Sequence, residues 1–281
     1  MNLKTVEEYT VQEEIDTNDQ TISNSEWEEE EEEIRQEEEE IFGDSIENKY
    51  DNELRILHMN INGIPVSKED EKNNLIFQAL EKSKADIIGM TEINRYWPKM
   101  QEKDRWRQRT FGWWETSKTT IGYNAMDSTN STFQPGGTMV LSINKPAHRV
   151  VETGRDETGL GRWVWQKMKG KRNMMLRIIS AYRPCIPSTA GPTTTYSQQQ
   201  RYMDITKDER EPRQAFLEDL GKAIDKWRED GDQIILMADM NTNTIGKEMK
   251  QWRESHQLKD VFITEFPNKK YQQHTTKELI R

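Results

Sequence analysis

Carboxylates and carboxamides stand in this chain where short apolar runs stop. Ile234-Ile235-Leu236-Met237-Ala238 leads into Asp239-Met240-Asn241. Five apolar residues behind Gly231-Asp232 predict a fully buried strand that delivers Asp239 and Asn241 to a sheet edge. Side chains two apart on a strand share a face, so the two polar groups would emerge side by side and could hold a hard cation or a phosphoryl oxygen. An Asx-type turn uses the same residues. Three more runs end alike: residues 54–59 run into Asn60-Ile61-Asn62-Gly63, 86–90 into Thr91-Glu92, and 174–181 into Tyr182-Arg183-Pro184.

The elements that must position these groups alternate in type. Residues 54–59 and 86–90 predict strands, separated by a helix with a capping-box start at Ser67/Asp70 and an apolar stripe of Leu75, Ile76, Ala79 and Leu80. Residues 95–133 read as loop-rich, with a short helix near 98–108. There, Trp97, Trp106, Trp113 and Trp114 alternate with Arg95, Arg105, Arg107 and Arg109, suiting a cover over a sheet better than a stacking platform for nucleic acid. Gly136-Gly137 introduces a strand at 138–143, and 162–168 with 174–182 predict a hairpin around a basic loop. Residues 184–212 predict a long exposed loop. Pro212 opens a helix with Phe216, Leu217, Leu220, Ala223, Ile224 and Trp227 on one face. A short helix at 246–258 and a short strand at 260–266 follow.

Charge divides the chain. Residues 1–53 hold 21 Asp and Glu against Lys4, Arg35 and Lys49, a net of −18, whereas 54–281 hold 29 acidic and 37 basic residues, a net of +8. Self-repulsion and few apolar residues predict that 1–53 is a disordered acidic tail, able to compete with nucleic acid for a basic body. Cys185 is the single cysteine, which excludes an internal disulfide and a multi-cysteine metal site. No apolar run reaches the ~20 residues of a membrane span, and the N-terminus lacks signal-peptide character, so the expectation is a soluble intracellular protein, nuclear or cytoplasmic.

Taken in order, the four strand ends resemble the endonuclease/exonuclease/phosphatase family, which includes DNase I, the apurinic/apyrimidinic (AP) endonucleases and the endonuclease domains of non-LTR retrotransposons. Leu57-His58-Met59-Asn60-Ile61-Asn62-Gly63 is similar to its first motif and Asp86-Ile87-Ile88-Gly89-Met90-Thr91-Glu92 to its second. Tyr182-Arg183-Pro184 resembles its tyrosine-any-proline motif and Ala238-Asp239-Met240-Asn241 its Gly-Asp-Phe-Asn motif. The resemblance spans about 54–266. Tyr-Arg-Pro-Cys, Gln198-Gln199-Gln200 and the helix after Pro212 look most like retroelement endonucleases.

The resemblance implies an α/β fold of two mixed β-sheets packed as a sandwich with flanking helices, four layers in all. It implies Mg2+ (or Mn2+) at Glu92, with Asn60 beside it and Asn62 as a further metal or water ligand. Asp239 would orient or deprotonate the attacking water, Asn241 and Tyr182 would steady the phosphoryl group, and Arg183 would contact a substrate phosphate unless it is only a surface arginine. The implied activity is phosphodiester hydrolysis on DNA. Ala238 replaces the family's usual Gly, and Cys185 stands where many relatives have Asn. Relatives continue into an Ile-Asp strand and a final Asp-His pair, and 271–281 reaches only where that segment would begin. The resemblance therefore implies a domain, 54–281, incomplete at its C-terminus, with last strand or strands missing. That leaves open a working endonuclease fragment, a catalytically dead nucleic-acid-binding remnant, or a phosphatase or phospholipase of the same fold.

Overall fold

A computed structural model describes residues 49–50, 53–126, 130–186, 191 and 193–265. The chain divides into two units, Met1–Asn48 and Lys49–Arg281. Nearly all of the acidic tail and everything after Glu265, His274 and the expected terminal gap included, lie outside the described residues.

Among the described residues eight strands form two mixed sheets of four strands each; two mixed sheets are the expected architecture. In the first, β1 (Ile56–Asn60) runs parallel to β2 (Ile87–Thr91), which is antiparallel to β4 (Thr138–Ile143), which in turn pairs with β3 (Ser117–Gly122). In the second, β5 (Val150–Arg155), β6 (Trp163–Lys169) and β7 (Met175–Tyr182) are antiparallel neighbours, and β8 (Asp232–Asp239) runs parallel to β7. Each parallel pair is bridged by a helical crossover: α1 (Glu71–Ser83) joins β1 to β2, while α3 (Thr195–Thr206) and α4 (Pro212–Glu229) lie between β7 and β8 in sequence. The remaining helices are α2 (Trp106–Arg109), α5 (Lys247–Ser255) and α6 (Val261–Glu265).

Strand alternation sorts the core. Ile56, Ile87, Val140, Val164, Ile178, Ile235 and Met237 meet between the sheets. Leu57, Met59, Ile88 and Met90 face outward under α1 and the tryptophans, and Ile179, Ala181, Ile234 and Leu236 face outward under α4 and α5. Gly89 marks a close approach across the seam: a Cβ there would stand 2.7 Å from Met237 Cε. Trp97 and Trp106 are buried and Trp113 and Trp114 half-buried, so they cover the first sheet.

Several expectations need correction. Residues 95–133 contain β3, and 184–212 contain α3, whose Thr194 cap accepts from Ser197 N at 3.1 Å and whose Gln198, Gln199 and Met203 are buried. β5 was not expected at all. The expected strand at 260–266 is helical over Val261–Glu265, and α1 is capped by Asp70, which accepts from Lys72 N at 2.9 Å, with Ser67 outside the box. The region expected as a helix at 98–108 is two 3-10 turns and α2. β8 is half-buried and not fully buried, because among the described residues it is an edge strand of its sheet. Also among the described residues, no helix is long and apolar enough to cross a membrane.

His58 points into the seam. Its Nε2 is buried without a hydrogen-bond partner, and burial lowers its pKa from 6.5 to about 4. The unfolded chain therefore binds a proton that the folded chain refuses. Stability from this group is complete above pH 6.5 and is lost as pH falls toward 4, by up to about 3 kcal/mol. Urea unfolding at pH 8 and pH 5 should show this loss in the wild-type protein and a much smaller one in His58→Leu.

Candidate active site

The alternation that builds the core also assembles the polar cluster. Because Ile56, His58 and Asn60 share one face of β1, and Ile235, Met237 and Asp239 one face of β8, Asn60 and Asp239 are aimed at each other across the seam. Asn60 Nδ2 donates to Asp239 Oδ2 at 2.9 Å. On β7 the seam face carries Leu176, Ile178, Ser180 and Tyr182. Ser180 Oγ donates to Met90 O at 3.2 Å, and one step further out Tyr182 Oη donates to Glu92 Oε1 at 3.0 Å. Two side-chain bonds thus cross between the sheets at the same end, each tying a carboxylate to a neutral donor.

Backbone geometry is unusual here. Glu92, Asn62 and Asn241 have φ of 51°, 45° and 47°, the left-handed region that side chains bearing Cβ seldom occupy. Such conformations cost of order 1–3 kcal/mol each and persist where neighbouring structure enforces them, commonly at functional sites. The enforcement is visible: Gly63 N donates to Glu92 O at 2.6 Å, Ile64 N to Ile93 O at 3.0 Å, and Asn62 N to Asn60 Oδ1 at 3.0 Å. The β1 and β2 loops are zipped together, and Lys72 Nζ holds Asn62 O at 2.9 Å from the first turn of α1.

Burial foremost, then the Glu92 charge, with Cys185, the bond to Glu92 and Asp239 adding to it, pushes the Tyr182 phenol far above its ordinary pKa. The same two carboxylates, after burial, help raise the Cys185 thiol, whose Sγ lies 4.0 Å from Tyr182 Oη. Tyr182 thus keeps its phenolic proton and donates it to Glu92 Oε1 in this arrangement. Glu92, Asp239 and the Asn60 carboxamide offer oxygen donors, a chemistry that fits a hard divalent cation such as Mg2+ or Mn2+ that retains waters. Among the described residues no cluster of three or more His, Cys, Asp or Glu side chains could hold a metal unaided.

The structure brings Asn60, Glu92, Tyr182 and Asp239 together, with Asn62 exposed at the rim. Asn241 lies past the end of β8, so strand alternation does not align it with Asp239. Its N donates to Asp239 Oδ1 at 3.3 Å and its Nδ2 to Arg183 O at 2.7 Å. Arg183 does not join the site. It is 3% exposed, and its guanidinium donates to Glu248 Oε1 at 3.2 Å and to Arg213 O at 3.2 Å. A substrate phosphate has no access to it in this arrangement, because it follows Tyr182 directly and alternation turns it to the opposite face. Lys72 and Arg213 border the site without having been singled out by sequence as its parts, and Cys185, noted there only as a departure from the usual Asn, borders it too. For Arg213 the available signal was a cation directly after a helix-opening proline.

No family model matches the chain, and no curated protein matches it. Among solved structures, an AP endonuclease from Archaeoglobus fulgidus superposes with a TM-score of 0.50 over 79% of each chain at 14% identity. An endonuclease/exonuclease/phosphatase family protein from Leptotrichia buccalis C-1013-b gives a TM-score of 0.43 at 15% identity, covering 73% of this chain and 74% of that one. The AP endonuclease LMAP from Leishmania major gives 0.43 at 14% identity, covering 66% and 54%. Two four-stranded mixed sheets, face to face with helices outside, thus give the described residues the DNase I-like α/β-sandwich fold that the Archaeoglobus fulgidus AP endonuclease also has.

Proposed function

We propose that the domain is a Mg2+-dependent phosphodiester hydrolase acting on DNA, of the kind found in retroelement endonucleases. The observation that carries this reading is the pair of bonds across the seam, Asn60–Asp239 and Tyr182–Glu92, which place two carboxylates from different sheets beside one phenol. The net charge of +8 over 54–281 supports a polyanionic substrate.

In this reading Asp239, held by Asn60 Nδ2 and Asn241 N, keeps acceptor capacity to orient and deprotonate an attacking water. Tyr182, through its hydroxyl proton, donates to a phosphoryl oxygen or keeps Glu92 aligned. Glu92, with Asn60 and Asn62, would hold the Mg2+, which supplies Lewis-acid polarisation of the phosphodiester. A second reading, a nucleic-acid-binding domain with slow or no turnover, is favoured by one fact. Among the described residues no histidine reaches the site: His58 is in the seam, His148 lies in the turn after β4, and His256 is tied to Asp225 at 2.9 Å.

A substrate panel separates the readings. Bis(p-nitrophenyl) phosphate and labelled DNA and RNA oligonucleotides, each with Mg2+ or EDTA, should yield Mg2+-dependent cleavage of the diester and of DNA, with p-nitrophenyl phosphate inert. Oligonucleotide binding without cleavage would favour the second reading, and release of phosphate from the monoester would favour a phosphatase.

A further inference from the structure

Arg213 is the second residue of α4 and 6% exposed, and no step of the chemistry above uses it. Its guanidinium nevertheless joins the two turns that carry the catalytic groups. Nη1 donates to Pro184 O, in the turn that follows Tyr182, and Nη2 to Asn241 O at 3.1 Å, in the turn that follows Asp239. The same two turns are also joined directly, by Arg183 N to Asp239 O at 2.9 Å and by Asn241 Nδ2 to Arg183 O at 2.7 Å. Arg183, in turn, donates through Nε to Arg213 O.

The carbonyls of Pro184 and Asn241 lie beyond the ends of β7 and β8, where the sheet ladder no longer supplies donors. Buried carbonyls need partners, and Asn241 holds a left-handed φ of 47° that its surroundings must enforce. A planar guanidinium presents several donors in a fixed fork, so one side chain can bind two carbonyls at a set separation; a lysine ammonium is a flexible point charge that does not impose that separation.

We infer that Arg213 is a positioning residue, a brace on α4 that fixes the Tyr182 turn and the Asp239–Asn241 turn relative to each other. Its effect on rate rests on the phosphodiesterase reading; the bracing itself does not. A displacement of about 1 Å in a catalytic group can cost about 10²-fold in rate. Losing the brace should therefore lower kcat far more than it raises KM.

Hydrogen exchange and kinetics on Arg213→Lys and Arg213→Ala, in the full chain, test the two parts separately. The amide of Arg183 in one turn and those of Asn241 and Gly246 in the other, each hydrogen-bonded in the structure, should exchange at least about tenfold faster in both variants, together, while the β6–β7 ladder stays protected. Unchanged exchange, faster exchange in one turn alone, or a loss of protection spread through β6, β7 and α4 would overturn the brace. If Arg213→Ala unfolds, Arg213→Lys, which keeps the charge and the stem, decides. In kinetics, kcat should fall about 10²-fold with KM within about threefold, and guanidinium ion should restore part of the Arg213→Ala activity but none of that lost in Glu92→Gln. Wild-type kcat in Arg213→Lys would overturn the consequence for rate. A wild-type protein that cleaves nothing would refute the hydrolase reading and leave hydrogen exchange to judge the brace.

Discussion

Asp239→Asn and Glu92→Gln are each expected to lower phosphodiester cleavage by about 10³-fold, within the span of 10²–10⁴ that follows loss of a general base. Asp239→Asn preserves the shape of the group that meets Asn60 Nδ2 but removes the charge that could take a proton from water. Glu92→Gln keeps an acceptor for Tyr182 Oη while removing the anion that would hold the cation. Both carboxylates raise the pKa of Tyr182, so their fields overlap. In the absence of metal, Glu92→Gln should leave stability unchanged or slightly increased, as is common where a site is built for function at the expense of stability, whereas Asp239→Asn sets an NH2 group against the Asn60 or Asn241 donor and should cost a little. Adding Mg2+ should raise the melting temperature of the wild-type protein, since a ligand bound only by the folded state stabilises by RT ln(1 + [L]/Kd), and should do so much less for Glu92→Gln. Calorimetry with Mg2+ and then EDTA would measure this without any substrate. An equal shift in both proteins would place the metal elsewhere.

Asp156→Ala should lower the unfolding free energy by about 3–5 kcal/mol, the usual cost of leaving one member of a buried ion pair without its partner. Arg162 is among the largest fully buried side chains, and Asp156 binds it twice, at 2.7 Å through Nε and 3.0 Å through Nη2. Burial alone would lower the arginine's pKa, but the hydrogen bond and charge of Asp156, followed by those of Asp219, outweigh burial and raise it. Asp156 also accepts from Thr158 N and Thr158 Oγ1, so it shapes the turn between β5 and β6 as well. Asp219, 2.9 Å from Arg162 Nη1, is partly exposed and only partly compensates. Replacing both partners together, Arg162→Met with Asp156→Leu, should cost markedly less than Asp156→Ala, because no uncompensated charge then remains inside. Urea denaturation of the three proteins checks the order. A double variant less stable than the single one would show that the turn, and not the ion pair, dominates. Since Tyr182 N donates to Arg162 O at 2.9 Å, the same turn is backbone support for the site.

Strands flanked by turn residues and made of continuous apolar residues were legible in the sequence: β1, β2, β4, β7 and β8 are found within a few residues of where hydrophobicity places them. β3, with Ser-Lys-Thr-Thr-Ile-Gly, and β5, with Val-Val-Glu-Thr-Gly-Arg, were not. They lie at the edges of their sheets, where one face or one side is open and polar residues cost little. α3 escaped because its buried residues are Gln198, Gln199 and Met203, which form no apolar stripe, and its start depends on a threonine cap. α6 has the β-branched content of a strand, yet forms a single short helix after Asp260, whose carboxylate accepts from Ile263 N at 3.3 Å.

The site was legible wherever strand alternation holds and obscure where it stops. Asn60, Tyr182 and Asp239 end their strands, and their face follows from the apolar residues four positions back, Ile56, Ile178 and Ile235. Arg183 stands one residue past Tyr182, and the same rule turns it away. Asn241 lies in a left-handed turn where the rule lapses, and Arg213 acts through carbonyl oxygens, which leave no trace in the sequence.

The claim that Glu92 and Asp239 form a working hydrolytic centre is tested most directly by nicking of supercoiled plasmid. Wild-type protein should relax the plasmid in Mg2+ and not in EDTA, while Glu92→Gln and Asp239→Asn, folded to the same extent by circular dichroism, should leave it supercoiled. Relaxation by either variant at the wild-type rate, or no relaxation by the wild-type protein at any concentration, would contradict it.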